Sequence, residues 1–260
     1  MDCEAGSTPQ EGYVPRRGMQ PSGGCSGFIS YDAAGNLLSD GVNAYTYDAE
    51  NRLTTVKVNG SLTGTYVYDA LGQRVEKITP SGVPSDCDTN GGTVFYIRGL
   101  SGHTAVYTSQ SVNQCHDYIY AGGRHLVTYK GYAEFTHADW LGTERVRGSQ
   151  TCTSNPFGDA LACSPANTGQ YRAHTHFTGK ERDSESGLDN FGARFNSFNI
   201  GRFMSPDAKF PTMRHVANSQ KWNRYAYVHN NLLAFIDPDG LDDWFIFRPS
   251  IGKNSAGTGN

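Results

Sequence analysis

The stretch YDAENRLTTVKVNGSLTGTYVYDALGQRV, residues 47–75, holds two copies of one pattern, and YDAAGNL at residues 31–37 is a third copy. In each copy an aromatic residue ends a strand, the aspartate caps the turn with its side chain, and Gly or Asn takes the position that needs a positive φ. Apolar and polar residues alternate between copies, as in NAYTY at residues 43–47, and this period of two is typical of β-strands. The pattern therefore predicts antiparallel hairpins, about one for each copy.

The composition favours the same mainly β fold. The 260 residues include 31 glycines, 15 tyrosines and 13 phenylalanines, which suits short strands and tight turns better than helices. A formal net charge of -3 creates no global field that would attract nucleic acid or an anionic membrane. No apolar run approaches the ~20 residues of a membrane span, and the N-terminus lacks the apolar segment of a signal peptide. We therefore expect neither nucleic-acid binding nor a membrane span.

The cysteines and histidines give no metal-site pattern. The six cysteines are irregularly spaced and contain no CxxC pair, so we predict free or partly paired thiols in preference to a regular disulfide framework. His174 and His176 would lie on one side of a strand, but no third ligand accompanies them. No metal and no cofactor is expected.

Outside the repeats, strand-like segments alternate with loops. Residues 1–27 are rich in Gly, Pro, Ser and charge, and we predict that they are disordered. The remaining predictions are strands at 93–97, 117–120 and 125–129, loops at 81–92 and 148–170 with a turn at 155–159, and a short helix at 217–228.

A second set of motifs fills residues 137–241. It comprises DWLGT at 139–143, FTGKERD at 177–183, SGLD at 186–189, FGARF at 191–195, GRFMSPD at 201–207, NRYAYV at 223–228 and DPDGL at 237–241. In this order the motifs resemble the RHS repeat-associated core, and the upstream Tyr-Asp repeats resemble the YD repeats of the same family. The resemblance divides the chain into an N-terminal tail (1–27), YD-repeat strands (28–136), the core (137–241) and a short C-terminal tail (242–260).

This resemblance implies a fold and a function. The fold would be mainly β, with a curved antiparallel sheet of YD-repeat hairpins forming part of a β-shell, and with a compact C-terminal core that plugs the shell. Such shells enclose a C-terminal toxin in bacterial polymorphic toxins and in insecticidal toxin complexes. The core of well-studied members is an intramolecular aspartic protease that cuts after the leucine of its Asp-Pro-x-Gly-Leu motif.

The resemblance also implies the site residues. Asp207 and Asp237 match the catalytic pair, Arg194 matches the supporting arginine, and the expected cut lies between Leu241 and Asp242. Two carboxylates that share one proton can hydrolyse a peptide bond, because one activates water and the other polarises the carbonyl. On the residues alone, both aspartates are equally good turn or cap residues. Arg194 could equally belong to a structural ion pair, with Arg202 as the alternative partner of the aspartates.

The sequence is compatible with several hypotheses about the function. The leading hypothesis is a shell and plug segment of a secreted or cell-surface toxin-delivery protein, with the rest of the shell or a toxin cargo as its partner. The tail after Leu241 is too short to fold as a toxin, which fits a truncated gene, a lost toxin or a tail that plugs the shell. Three repeats are too few for a closed shell, so this chain would be a remnant of a larger protein or one part of a split one. The alternatives are a surface module that binds a glycan or a protein, and an inactive truncated remnant. Inward-facing aromatic residues would favour the shell, and a solvent-facing groove would favour binding.

Overall fold

The computed structural model describes most of the chain. The described residues are 29–83, 90–99, 103–108, 114–121, 124–165, 175, 177–209, 219–232, 234–241 and 243–245. The predicted disordered tail, together with His174 and His176, lies outside these ranges. Within them, no helix is long and apolar enough to cross a membrane.

A single antiparallel sheet of fourteen strands, in which each strand pairs with the next along the chain, dominates the fold. Its strands are β1 (Ile29–Tyr31), β2 (Leu37–Asp40), β3 (Asn43–Tyr47), β4 (Leu53–Val58), β5 (Ser61–Tyr68), β6 (Arg74–Thr79), β7 (Gly92–Arg98), β8 (His103–Thr108), β9 (Gln114–Ala121), β10 (Arg124–Tyr129), β11 (Ala133–Ala138), β12 (Glu144–Arg147), β13 (Gln150–Thr153) and β14 (Ala162–Ser164). The sheet is not closed into a barrel. It continues past residue 136, so its last strands come from the segment that the resemblance assigns to the core; the domain limits themselves stay a prediction.

The Tyr-Asp turns have the geometry that the repeat predicts. In the copy after β3, the Asp48 carboxylate accepts backbone hydrogen bonds from Glu50 at 2.9 Å and Arg52 at 3.0 Å, and Asn51 has a φ of 62°. The aspartates of the other copies accept equivalent bonds, and so does Asp139 in the DWLGT motif. Asp139 therefore starts a fourth turn of the same kind, which the motif's own sequence did not reveal.

The structure confirms some of the predictions outside the repeats and corrects others. The strands at 93–97, 117–120 and 125–129 are confirmed, each within a longer strand. The loop at 148–170 is wrong in part, because β13 and β14 form a hairpin there that a Cys152–Cys163 disulfide joins. Cys115 is also disulfide-bonded, so the cysteines are at least partly paired. In place of the predicted helix at 217–228, the described residues form a 3-10 turn at Ser219–Trp222, and a second 3-10 turn, Val228–Asn230, begins at the last residue of the range.

The C-terminal part is built from short elements. A four-stranded antiparallel sheet contains β15 (Glu181–Arg182), β16 (Asp189–Asn190), β17 (Phe195–Ser197) and β18 (Arg202–Phe203). A two-stranded pair contains β19 (Phe235–Ile236) and β20 (Trp244–Phe245). Loops and 3-10 turns at Phe177–Gly179 and Val228–Asn230 connect these strands. Such short strands cannot form a stable unit alone, so this part depends on what it packs against.

The C-terminal part packs on the inner face of the large sheet. Their shared apolar cluster includes Tyr45, Leu53 and Tyr66 from the sheet with Phe195 and Met204 from the C-terminal part. A backbone hydrogen bond of 2.9 Å from Leu37 to Met204 joins the two parts at the start of the sheet. This cluster therefore joins the two parts.

A buried ionic cluster joins the same two parts. Lys77 on β6 contacts the carboxylates of Asp183 at 3.0 Å and Glu185 at 3.5 Å, and Arg74 contacts Asp183 at 2.5 Å. Arg74 also contacts Glu181, at 3.2 Å. The sequence indicated that the KERD run would be solvated or form salt bridges between strands, but Asp183 is fully buried in this cluster. A buried carboxylate needs its cations, because an unpaired buried charge is strongly destabilising.

We predict that Lys77→Met lowers the free energy of unfolding by about 3–5 kcal/mol, because three carboxylates would then share only the charge of Arg74 within this cluster. Urea unfolding followed by circular dichroism measures the change. Lys57→Met, on the exposed face of β4, which β5 separates from β6, is the matched control and should stay within about 0.5 kcal/mol of the parent. Equal small losses for both variants would contradict a stabilising role of the cluster.

Candidate functional site

The DPDGL segment folds into a turn around the carboxylate of Asp237. The Oδ1 atom of Asp237 accepts backbone hydrogen bonds from Gly240 at 2.7 Å, from Leu241 at 3.1 Å and from Asp239 at 3.3 Å. The aspartate therefore organises the residues that precede the predicted cut. Asp237 is 1% exposed, whereas Pro238 and Asp239 between it and Gly240 are exposed. The predicted cut begins at Leu241, while Asp242 lies outside the described residues.

Gly240 allows this turn to approach the rest of the core closely. Its φ is +81°, and a Cβ atom there would lie 3.1 Å from the backbone nitrogen of Arg194 and 3.3 Å from the Cβ atom of Phe191. The backbone nitrogen of Ala193 also donates a 3.1 Å hydrogen bond to the carbonyl of Asp239. The DPDGL turn is thus fixed directly against the FGARF segment.

Arg194 lies between the turn and the core, and its side chain is 6% exposed. Its Nε donates to the carbonyl of Gly240, and its Nη1 donates to the carbonyl of Arg224 at 3.2 Å. The guanidinium carbon lies 3.7 Å from the centre of the Phe203 ring, which is within the range of a cation–π interaction. These contacts fix the plane of the guanidinium group.

The remaining nitrogen of Arg194 brings the two predicted aspartates together. Its Nη2 lies 3.3 Å from Oδ2 of Asp237 and 3.4 Å from Oδ2 of Asp207. Residues that are far apart in the chain thus meet at one nitrogen atom, as the resemblance implied. Arg202, the alternative partner, is exposed on β18, and it is Arg194 that pairs with both aspartates.

The two carboxylates occupy different environments. The Asp207 side chain is 23% exposed, against 1% for Asp237. The backbone of Asp207 is held by Arg224, whose carbonyl accepts its N–H at 2.9 Å and whose Nε donates to its carbonyl at 2.9 Å. Its Oδ1 accepts the backbone N–H of Lys209 at 2.7 Å. Asp207 therefore faces water with one oxygen near Arg194, while Asp237 is enclosed.

Burial shifts the pKa values of both Asp237 and Arg194. Burial raises the pKa of Asp237 to about 6, although Arg194 and the N–H of Gly240 oppose the increase. Burial also lowers the pKa of Arg194, and the two aspartates oppose that decrease. A carboxyl group with a pKa near 6 can hold or release a proton close to neutral pH, as acid–base chemistry requires.

Lys180 is a neighbour of this site that the sequence did not reveal. Its Nζ donates a hydrogen bond to the carbonyl of Pro238 and lies 5.3 Å from the centre of the Phe191 ring. Burial lowers the pKa of Lys180, opposed by Asp237 and Asp239. No local sequence pattern marks this contact, because Pro238 lies 58 residues from Lys180. Across the described residues, no group of three or more potential ligands could hold a metal ion.

The chain is similar to known proteins over most of its length. The family model described as RHS Repeat matches residues 47–84. The chain is 30% identical over 223 residues to the tRNA3(Ser)-specific nuclease WapA of Bacillus spizizenii, and 30% identical over 224 residues to the tRNA nuclease WapA of Bacillus subtilis. Each match covers 84% of this chain and 9% of the relative, so the chain spans a small part of either protein.

Solved structures share the fold. The crystal structure of TcdB2-TccC3 without its hypervariable C-terminal region matches with a TM-score of 0.62 and 21% identity, over 81% of this chain and 11% of that chain. The Tc holotoxin pore of Photorhabdus luminescens matches with a TM-score of 0.57 and 20% identity, over 84% and 11% of the two chains. At these identities the likeness shows a common fold.

We predict that Gly240→Ala destabilises the protein more than the matched substitution Gly60→Ala. Gly60 has a nearly identical φ of +80°, but no atom lies within 4 Å of the position that an alanine Cβ would take there, so both variants carry the same backbone cost of about 1–2 kcal/mol. The alanine at 240 must in addition displace the turn from Arg194, and we expect a further loss of about 1–3 kcal/mol. Urea unfolding of both variants measures the difference, and equal losses would contradict the close approach.

Proposed function

Because the chain belongs to the RHS-repeat family, whose relatives include proteins of toxin and nuclease delivery, we propose that it forms wall and plug of an RHS β-shell. We propose further that its core cuts its own chain once, between Leu241 and Asp242. The protein would then be a structural component first and a single-turnover aspartic protease second.

The contact of Asp207 and Asp237 with one nitrogen of Arg194 carries the proposal for cleavage. A structural salt bridge would need only one carboxylate for one arginine. Two carboxylates that both contact one arginine are the pair of groups that an aspartic mechanism requires. Asp237 also fixes the turn that leads to Leu241, because it accepts the backbone N–H groups of Gly240 and Leu241. The bond to be cut therefore starts at a residue that Asp237 already binds.

The two environments assign the roles. Asp207, the more exposed carboxylate, would take a proton from a water molecule as that water attacks the carbonyl carbon of Leu241. Asp237, with its pKa near 6, would hold the proton that hydrogen-bonds to the carbonyl oxygen as negative charge develops there. Collapse of the tetrahedral intermediate breaks the bond to the nitrogen of Asp242, which takes the proton that Asp207 removed from water and leaves as an amine. The products are a carboxylate at Leu241 and a new N-terminus at Asp242.

Tethering makes this chemistry practicable without a substrate-binding cleft. Arg194 and the Asp237 carboxylate hold the segment before the bond by hydrogen bonds to the backbone of Gly240. A bond held in the same molecule reacts as though its partner were highly concentrated. Because the reaction consumes its own chain, one turnover per molecule is expected.

The directions of the tyrosines support the wall and plug role. Tyr45, Tyr66, Tyr96 and Tyr118 are at most 5% exposed and face the inner side of the sheet. Packing therefore uses these aromatic residues, and they form no solvent-facing groove for a glycan. A glycan- or protein-binding module, or an inactive remnant, remains an outcome of the test described below.

The names of the relatives guide the proposal for the cargo. The WapA proteins are named as tRNA nucleases, so we propose that the shell to which this chain contributes encloses a toxic enzyme. Cleavage after Leu241 would separate the shell from whatever follows it in the protein. We propose that the assembled protein acts outside the cell that makes it, where a protected toxin has a use.

We predict that purified parent protein loses the peptide 242–260, and that Asp207→Asn and Asp237→Asn both stay full length. An amide cannot accept the proton of water or supply the shared proton, so either substitution should slow cleavage by at least about a hundredfold. Intact-mass spectrometry of the three proteins, after equal incubation, measures the cut and its position.

Asp239→Asn is the matched control, because Asp239 is exposed and its Oδ1 accepts the N–H of Leu241 at 3.0 Å, which the amide oxygen of asparagine can also accept; cleavage should stay close to the parent rate. Circular dichroism verifies that all four proteins are folded. A folded parent that stays uncut would contradict active proteolysis and leave a structural remnant or a binding module. A parent that is cut equally in both aspartate variants would assign the cut to another protease.

A further inference from the structure

The turn that follows β18 and precedes β19 has an unusual backbone. Val228, His229 and Asn230 have φ values of 42°, 55° and 59°, and none of them is glycine. L-residues rarely adopt this left-handed conformation, least of all in succession, so surrounding contacts must hold it. Val228 is fully buried in the aromatic cluster of the core, and Asn231 donates a 3.0 Å backbone bond to its carbonyl. Strained turns of this kind concentrate at functional sites.

The left-handed turn places the His229 side chain beside the segment that follows the predicted cut. The His229 ring meets the Phe235 ring edge-on, with 5.9 Å between their centres. Its Nε2 lies 2.9 Å from Oδ2 of Asp243. Asp243 is the second residue after Leu241, and the contact thus lies on the leaving side of the bond.

The backbone on that side is also held. In the β19–β20 pair, Phe235 lies opposite Phe245 and Ile236 lies opposite Trp244. On the other side of the bond, the N–H of Leu241 donates to Asp237. The chain is therefore attached to the core both before and after the bond between residues 241 and 242.

We infer that His229 is a positioning residue, which holds the segment after Leu241 against the core and so keeps the scissile bond in place. Its role in cleavage rests on the proposed function, while the hold itself does not. The charges around Asp243 fit a hold of this kind: Arg194 and Lys221 add positive charge, and Asp207 adds negative charge. His229 provides the direct contact among them, because its nitrogen lies at hydrogen-bonding distance from the Asp243 carboxylate.

The hold can be tested without cleavage. In an Asp207→Asn background, which is expected to stay full length, hydrogen–deuterium exchange with mass spectrometry reports the protection of residues 243–245. His229→Ala should speed exchange there by about tenfold, because one hydrogen bond to a charged group is lost. His229→Gln should restore protection, since its amide can donate from nearly the same place as Nε2.

Asn230→Ala is the control within the same turn, because the Asn230 side chain bonds Gln220 at 2.8 Å. The inference requires faster exchange in His229→Ala, recovery in His229→Gln and parent-like protection in Asn230→Ala. Any other pattern would overturn it, including equal exchange in all three variants.

The same three substitutions in the parent chain test the positioning of the bond. His229→Ala should slow cleavage by about tenfold, and His229→Gln and Asn230→Ala should cut at nearly the parent rate. If His229→Ala loses the hold but cuts at the parent rate, the positioning role is wrong. If the parent is never cut, the proposed proteolysis fails, and the exchange measurement still decides whether His229 holds the segment.

Discussion

The candidate site depends on the need of one buried arginine for partners. A guanidinium group has five N–H donors and a permanent charge, and burial without partners is costly for both. Arg194 meets this need with the carbonyls of Gly240 and Arg224, the ring of Phe203 and the carboxylates of Asp207 and Asp237. These partners come from three separate motifs of the C-terminal part. Satisfying one side chain therefore fixes the position of every element that we propose for the cleavage.

A second buried cluster connects this site to the strand array. Arg74 and Lys77 on β6 reach carboxylates on the segment from Glu181 to Glu185, so the sheet and the C-terminal part hold each other. The strands of the C-terminal part are too short to be stable alone. The aromatic cluster around Phe191 and Tyr227 supports them from within that part. Because Phe191 also contacts the Gly240 turn, packing of the core against the sheet is linked to the geometry of the dyad.

The sequence predicted features whose causes are local. The Tyr-Asp turns follow from the side chain of an aspartate and a residue that tolerates positive φ, and these lie within a few positions of each other. The convergence of Arg194 with Asp207 and Asp237 was available only from the resemblance, because the contact between Arg194 and Asp237 spans 43 residues. The β13–β14 hairpin, the burial of Asp183 and the contact between His229 and Asp243 were missed for the same reason: each depends on a partner that the local pattern does not identify.

The intact mass of Arg194→Gln, measured after the folded parent has been fully cut, decides whether Arg194 assembles the cleavage site. Glutamine is polar and can still reach a carbonyl, but it carries no charge, and its two N–H donors cannot replace the five donors of the guanidinium group. We expect Arg194→Gln to be folded by circular dichroism and to keep its full length, while the parent loses residues 242–260. A folded Arg194→Gln chain that is cut at the parent rate would contradict the claim that this arginine assembles the site.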